Sequence, residues 1–104
     1  MYYETEGDLV IVFTPETEYK DMESHFRNEC GWTARQYQDI EDCAWFCAKV
    51  AVYHGDKELA TEYIGCCCYE RIEDFYTKYK DEYYAQMKDD ALRVAHETLR
   101  ARAI

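Results

Sequence analysis

The stretch Thr33 to Gly55, TARQYQDIEDCAWFCAKVAVYHG, constrains the fold more than any other, because its apolar residues recur at three and four positions and both its ends are marked. Thr33 with Gln36 three residues on is a capping-box start, and Gly55 offers the left-handed stop that ends many helices. Tyr37, Ile40, Ala44, Cys47, Ala51 and His54 make one row, which Cys43, Phe46 and Val50 broaden. The pattern predicts a central amphipathic helix over 34–54, sandwiched by other elements in its second half. A narrow polar remainder, Asp39, Glu41, Asp42 and Lys49, would leave its start exposed.

The flanking segments fill in around it. Tyr2 and Tyr3, then Glu6-Gly7-Asp8, then LVIVF predict an N-terminal β-hairpin. Leu9 to Phe13 are apolar at successive positions, so both faces of that strand want cover. Either helices wrap it, the preferred arrangement, or one face or edge is offered to another chain. Thr14 as N-cap with Pro15 at the first helical position opens a helix that runs to Cys30 and stops at Gly31, with Tyr19, Met22, Phe26 and Cys30 as its apolar stripe. Trp32 is placed to staple onto Tyr37. After Gly55, Asp56 caps a third helix over about 57–77, and a fresh apolar row from Tyr83 and Tyr84 to Leu99 marks a fourth over about 81–101; one long bent helix is the alternative. The expected fold is α+β and predominantly helical: a hairpin followed by about four helices packed around 34–54, in a single domain over 1–104.

With 48% apolar residues the chain is globular, and no apolar run approaches the roughly 18 residues of a membrane span. No secretory leader is recognisable, so the expected location is cytoplasmic, the host cytoplasm if the chain is viral. There the six cysteines would stay reduced. The 22 acids outnumber the 12 bases, and the excess sits early: 8 acids against 2 bases in residues 1–32, but 5 against 6 in 77–104. A surface of that sign repels nucleic acid and anionic membrane and attracts basic protein surfaces.

Catalytic chemistry finds little support. Cys43 and Cys47, with Cys66, Cys67 and Cys68, lack the close paired spacing of zinc sites, and consecutive helical residues diverge by about 100°. The thiols read as buried and structural, with no metal and no cofactor expected. His25, His54 and His96 fall on three different predicted helices with no recognisable nucleophile beside any of them. The glycines are too scattered for a phosphate-cradling loop. The expectation is that the chain is not an enzyme.

Tyrosines and acids carry the remaining signal. Among the 11 tyrosines, Tyr37, Tyr63 and Tyr76 lie on apolar rows, whereas Tyr69, Tyr79 and Tyr83 or Tyr84 are candidates for exposure and contact. Glu70, Glu73 and Asp74 fall within one turn, and Glu62, Asp81 and Glu82 extend the patch; Asp39, Glu41 and Asp42 add the exposed start of the central helix. Helical neighbours at three and four residues stand about 5–6 Å apart, comparable with phosphates along a nucleic-acid strand. In size, acidity and lack of a catalytic motif the chain resembles the small single-domain proteins by which phages block host defence, anti-CRISPR proteins and DNA mimics among them. The resemblance assigns no residue a role. It implies inhibition by occupying a basic groove of a nucleic-acid-handling complex. A homodimer or adaptor using the exposed edge of Leu9–Phe13 is the alternative, and a thiol or zinc protein a second one.

Overall fold

A computed structural model describes residues 1–102; Ala103 and Ile104, the end of the expected domain, lie outside them. Two Gly-Asp turns organise it. The first joins β1 (Tyr2–Glu6) to β2 (Leu9–Glu16) across Gly7 and Asp8, with Glu6 paired to Leu9 and Gly7 at a φ of 58°. The second joins β3 (Ala44–His54) to β4 (Lys57–Tyr69) across Gly55 and Asp56, with His54 paired to Lys57 and Gly55 at 62°. Between them β2 pairs with β3 from Leu9 opposite His54 to Glu16 opposite Cys47. The result is one antiparallel sheet in the order β1-β2-β3-β4.

The fold is therefore balanced, 35% helix and 36% strand, and the expectation of a predominantly helical chain is overturned. The N-terminal hairpin forms where the sequence placed it. The capping box of Thr33 and Gln36 also forms, but the helix it opens, α2, covers only Ala34–Gln38. Of the rest of the expected central helix, residues 39–43 are turn and bend and 44–54 are β3, and most of the third expected helix is β4. The reason lies in burial. Phe46, Ala48, Val50 and Val52 fill one face of β3, and the small Ala51 on the other face is buried among its larger neighbours, so the strand is apolar at successive positions and satisfies a helical row by accident. Thr14 and Pro15 lie within the last part of β2 instead of starting a helix. Pro15 is tolerated because β1 stops at Tyr2, opposite Phe13, and one side of β2 is unpaired beyond that point. The second expected helix shrinks to α1 (Met22–Ser24) and a π turn over His25–Glu29. The last helix, α3, occupies Tyr84–Arg102, close to its expected bounds.

Helix α3 and a 3-10 turn at Ile72–Phe75 cover the first face of the sheet. Met87, Ala91, Leu92 and Ala95 pack with Leu9, Ile11, Val50 and Val52 in one cluster, and rings fill its wider end. Phe13 meets Phe75 at 5.2 Å, Tyr76 at 5.3 Å and Phe46 at 6.1 Å between centroids, and Tyr2 stacks on Tyr76 at 4.1 Å. Above them the Tyr84 hydroxyl donates to the Glu4 carboxylate, which also takes Lys88 at 3.4 Å.

The second face has two halves. Residues 17–38 cross over it toward β4: Trp45 donates its indole N–H to the Lys20 carbonyl at 2.8 Å, and Phe26 packs on Trp45 and Trp32. Trp32 thus leans on Phe26, 4.6 Å away, and not on Tyr37 as its position suggested. The crossing is anchored at Glu18, whose carboxylate accepts from the Cys66 backbone N–H at 2.6 Å. Register slips there, with Phe46 opposite Cys67 but Ala48 opposite Ile64, and Cys66 has a φ of 57°. The other half of the face, where Tyr3 lies beside Val12 and Ala51, and Val10 beside Tyr53, has no covering element. Wrapping, the preferred expectation for Leu9–Phe13, is achieved on one face only.

Candidate functional site

The register of β3 and β4 brings two separate acidic stretches to one end of the sheet. Ala44, the first residue of β3, pairs with Tyr69, the last of β4. Residues 39–42 lead directly into that pair and Glu70 leads directly out of it, so Asp39, Glu41, Asp42 and Glu70 share this end. Glu82 joins them, accepting from the Tyr69 hydroxyl at 3.4 Å, and burial together with that carboxylate pushes the Tyr69 phenol up. Asp39, Glu41, Asp42, Glu70 and Glu82 are all exposed. Among the described residues, none of these five carboxylates enters an ion pair. The molecule is elongated, 57 × 22 × 21 Å, so charge gathered at one end is separated from the far hairpin turns.

Other residues singled out from the sequence sit elsewhere. Asp74 is 5% exposed; its carboxylate lies 3.7 Å from Arg71 and its carbonyl accepts from the Tyr79 N–H at 2.8 Å, which makes it part of the fold and not of a contact surface. Glu73 is exposed but 3.9 Å from the same arginine. The expected helical row of Glu70, Glu73 and Asp74 does not exist, because Glu70 follows a strand and the next two belong to a 3-10 turn whose side chains diverge at about 120° per residue. Glu62 is half-buried opposite Val50, seven positions before Tyr69, roughly 23 Å up the strand at 3.3 Å per residue. Asp81 is exposed, in a depression it shares with Tyr2, Tyr76, Lys80 and Lys88 beside β1.

The tyrosines are redistributed by the change of fold. Tyr63, expected on an apolar row, is 60% exposed on the second face of β4. Tyr84 is buried, its hydroxyl tied to Glu4, while its neighbour Tyr83 is half exposed. Tyr69 is half-buried, with its ring against Phe46, Phe75 and Tyr79.

Burial pushes the Cys67 and Cys68 thiols up to about 11 and raises Cys47 and Cys66 as well, which fits structural thiols. Cys30 departs from that pattern. It is exposed, and its Sγ lies 3.7 Å from His25 Nε2, a histidine–cysteine pair that was not recognisable in the sequence. The spacing of five residues concealed the pair, since a helix would set them on opposite sides. Among the described residues no group of three or more His, Cys, Asp or Glu is arranged to hold a metal ion, and no helix is long and apolar enough to cross a membrane. The chain matches no known protein family, no curated protein and no solved structure.

Proposed function

We propose that the protein is a non-enzymatic binding module whose acidic end docks on a basic protein surface, in its most concrete form the nucleic-acid groove of a nucleic-acid-handling complex that it thereby inhibits. The observation that carries this reading is the set of five exposed, unpaired carboxylates gathered where β3 begins and β4 ends, on a chain of net charge −10. A carboxylate already paired within its own chain gains little from a partner cation; an unpaired one loses only water, and its pairing strengthens as the interface excludes solvent. The test is reversal of Asp39, Glu41, Asp42 and Glu70 to Lys. Folding should survive, because exposed charges contribute at most a few tenths of a kcal/mol each. Proteins captured by the native chain from its own cells should be lost to the variant, and a short nucleic-acid duplex should displace them. Capture that persists in the folded variant, or that a duplex leaves intact, refutes the reading.

One observation favours a second reading, self-association. The open half of the second face shows Tyr3, Val10, Val12, Tyr53 and Tyr63, and its charges, Lys49 and Glu58, stand 3.9 Å apart as a pair. On a chain this acidic, a face that carries no net charge lets a second copy approach without the repulsion its acidic surfaces would meet. Sedimentation of the native chain against Val12→Glu separates the cases: a native dimer that the substitution dissociates supports the second copy.

A further inference from the structure

The π turn ahead of α2 sets three reactive side chains in line. Its closing bond is the Cys30 N–H to the His25 carbonyl at 3.1 Å, five residues apart. In an α-helix such residues stand about 140° apart around the axis, at 100° per residue. The wider π winding brings the fifth residue back to within about 50° and keeps the fourth within about 30°, so Glu29 and Cys30 both reach His25. Cys30 Sγ lies 3.7 Å from Nε2, and Glu29 Oε2 lies 3.3 Å from Nδ1. The imidazole is held between Phe26, edge-on at 5.0 Å, and Trp45 at 5.3 Å. Glu29 is held in turn by Lys20, whose Nζ lies 2.6 Å from its other oxygen. Thiol to Nε2 and Nδ1 to carboxylate is the order of a nucleophile, its base and the group that orients the base.

We propose that Cys30 is a reactive-thiol site, with His25 as its base and Glu29 as the positioning residue, and that it takes solvent-borne disulfides. The class follows from what surrounds the sulfur. Acyl transfer needs donors aimed at a developing oxyanion. Of the amides around the sulfur, Cys30 N–H is committed to the His25 carbonyl and Trp32 N–H to the Phe26 carbonyl at 2.9 Å, which leaves at most the single Gly31 N–H and no pair of donors. Thiol–disulfide exchange develops no oxyanion and needs only a thiolate with open access, which the exposure of Cys30 gives. In the step, the Cys30 proton passes to His25 Nε2 as Sγ attacks one sulfur of R–S–S–R′. The S–S bond breaks, Cys30–S–S–R forms, and R′–S⁻ leaves, taking the proton from the imidazolium. One disulfide is exchanged for another, with no net change in oxidation state. The site is independent of the acidic end.

The experiment uses limiting 4,4′-dithiodipyridine on the native chain at pH 7, with an acid quench and peptide mapping. Cys30 should be labelled first of the six cysteines. Exposure alone would give that result, so the deciding measurement is the rate at Cys30 in the folded chain relative to the urea-unfolded one. That ratio should be about ten or more in the native protein and near one in His25→Asn, which keeps the exposure and removes the base. Glu29→Gln preserves the turn and should lower the ratio severalfold. Circular dichroism checks that each variant is folded; should His25→Asn fail to fold, the native ratio and Glu29→Gln decide. First labelling at another cysteine, a native ratio near one, or a folded His25→Asn that reacts at the native rate overturns the proposal, and an unaltered Glu29→Gln removes the positioning role.

Discussion

Replacing Phe13 by Ala tests the packing of the sheet on its helical layer. Phe13 is 1% exposed and touches the rings of Phe46, Phe75 and Tyr76, so it joins β2, β3 and the segment leading into α3. Roughly 130 Å² of ring surface lies beyond Cβ, and at about 25 cal/mol/Å² its transfer is worth about 3 kcal/mol. Three ring neighbours on two separate elements cannot all close on the space left, and the cavity they line adds about 1–2 kcal/mol. A loss of about 4 kcal/mol is a large part of the roughly 5–15 kcal/mol available to a domain of this size, and lowers Tm by roughly 15–30 °C. Differential scanning calorimetry at pH 7 reads it directly. Phe13→Leu, which leaves a much smaller void, should cost about 1.5 kcal/mol or less. A Phe13→Ala variant melting within about 5 °C of the native protein would show that the ring is not gripped on three sides, and the layer arrangement would fall with it.

Other outcomes follow from single contacts. The Glu4 carboxyl is held below its ordinary 4.5 chiefly by the Tyr84 hydroxyl, with Lys88 assisting against burial. Being more acidic when folded, it contributes stability in full above 4.5 that is lost as pH falls through its lower folded value. Tyr84→Phe should therefore cost about 1–2 kcal/mol at pH 7, and its Tm gap from the native chain should narrow between pH 5 and pH 3; a constant gap refutes the pairing. At Cys66, glycine relieves a positive φ worth about 1–2 kcal/mol and adds about 0.5–1 kcal/mol of backbone entropy, so Cys66→Gly should melt no lower than native. Glu18→Ala leaves the same N–H without its carboxylate and should melt lower; the opposite order would misplace the bulge. Strong chelation should leave circular dichroism and Tm unchanged, since a structural zinc would contribute folding free energy that the chelated chain loses.

Legibility in the sequence varied from one element to the next, for physical reasons. Gly7-Asp8 and Gly55-Asp56 are the same dipeptide performing the same task, yet only the first stands between segments that read as strands. At the second, Gly55 doubles as a helix stop and Asp56 as a helix cap, and nothing local separates the two meanings. The alternation that marks strands is missing from β3, where Ala51 and Val52 are both buried, and from β4, where two register shifts break the period. Helix α3 was legible because Met87, Ala91 and Ala95 carry one face with nothing on the other. At the acidic end the residues were legible and their grouping was not: Asp39, Glu41 and Asp42 meet Glu70 only through strand pairing, whereas Asp74 was drawn inward by a turn that sequence spacing does not reveal. The thiol pair was hidden because π winding has no periodic signature.

The order of the elements has a consequence for synthesis. Every strand pairs with its neighbour in sequence, so the sheet needs no residue beyond Tyr69 in order to close, and hairpins form in about 1–10 μs. The helix that covers its first face ends 33 residues later, at Arg102, which a ribosome adding about 5–20 residues per second reaches after roughly 2–7 s. For that interval Leu9, Ile11, Phe13, Val50 and Val52 have no helix above them. The nascent sheet is then bare on its first face, and the half of its second face that no element ever covers is bare with it. Until the helix docks, those apolar residues offer an aggregation surface that the finished protein does not show.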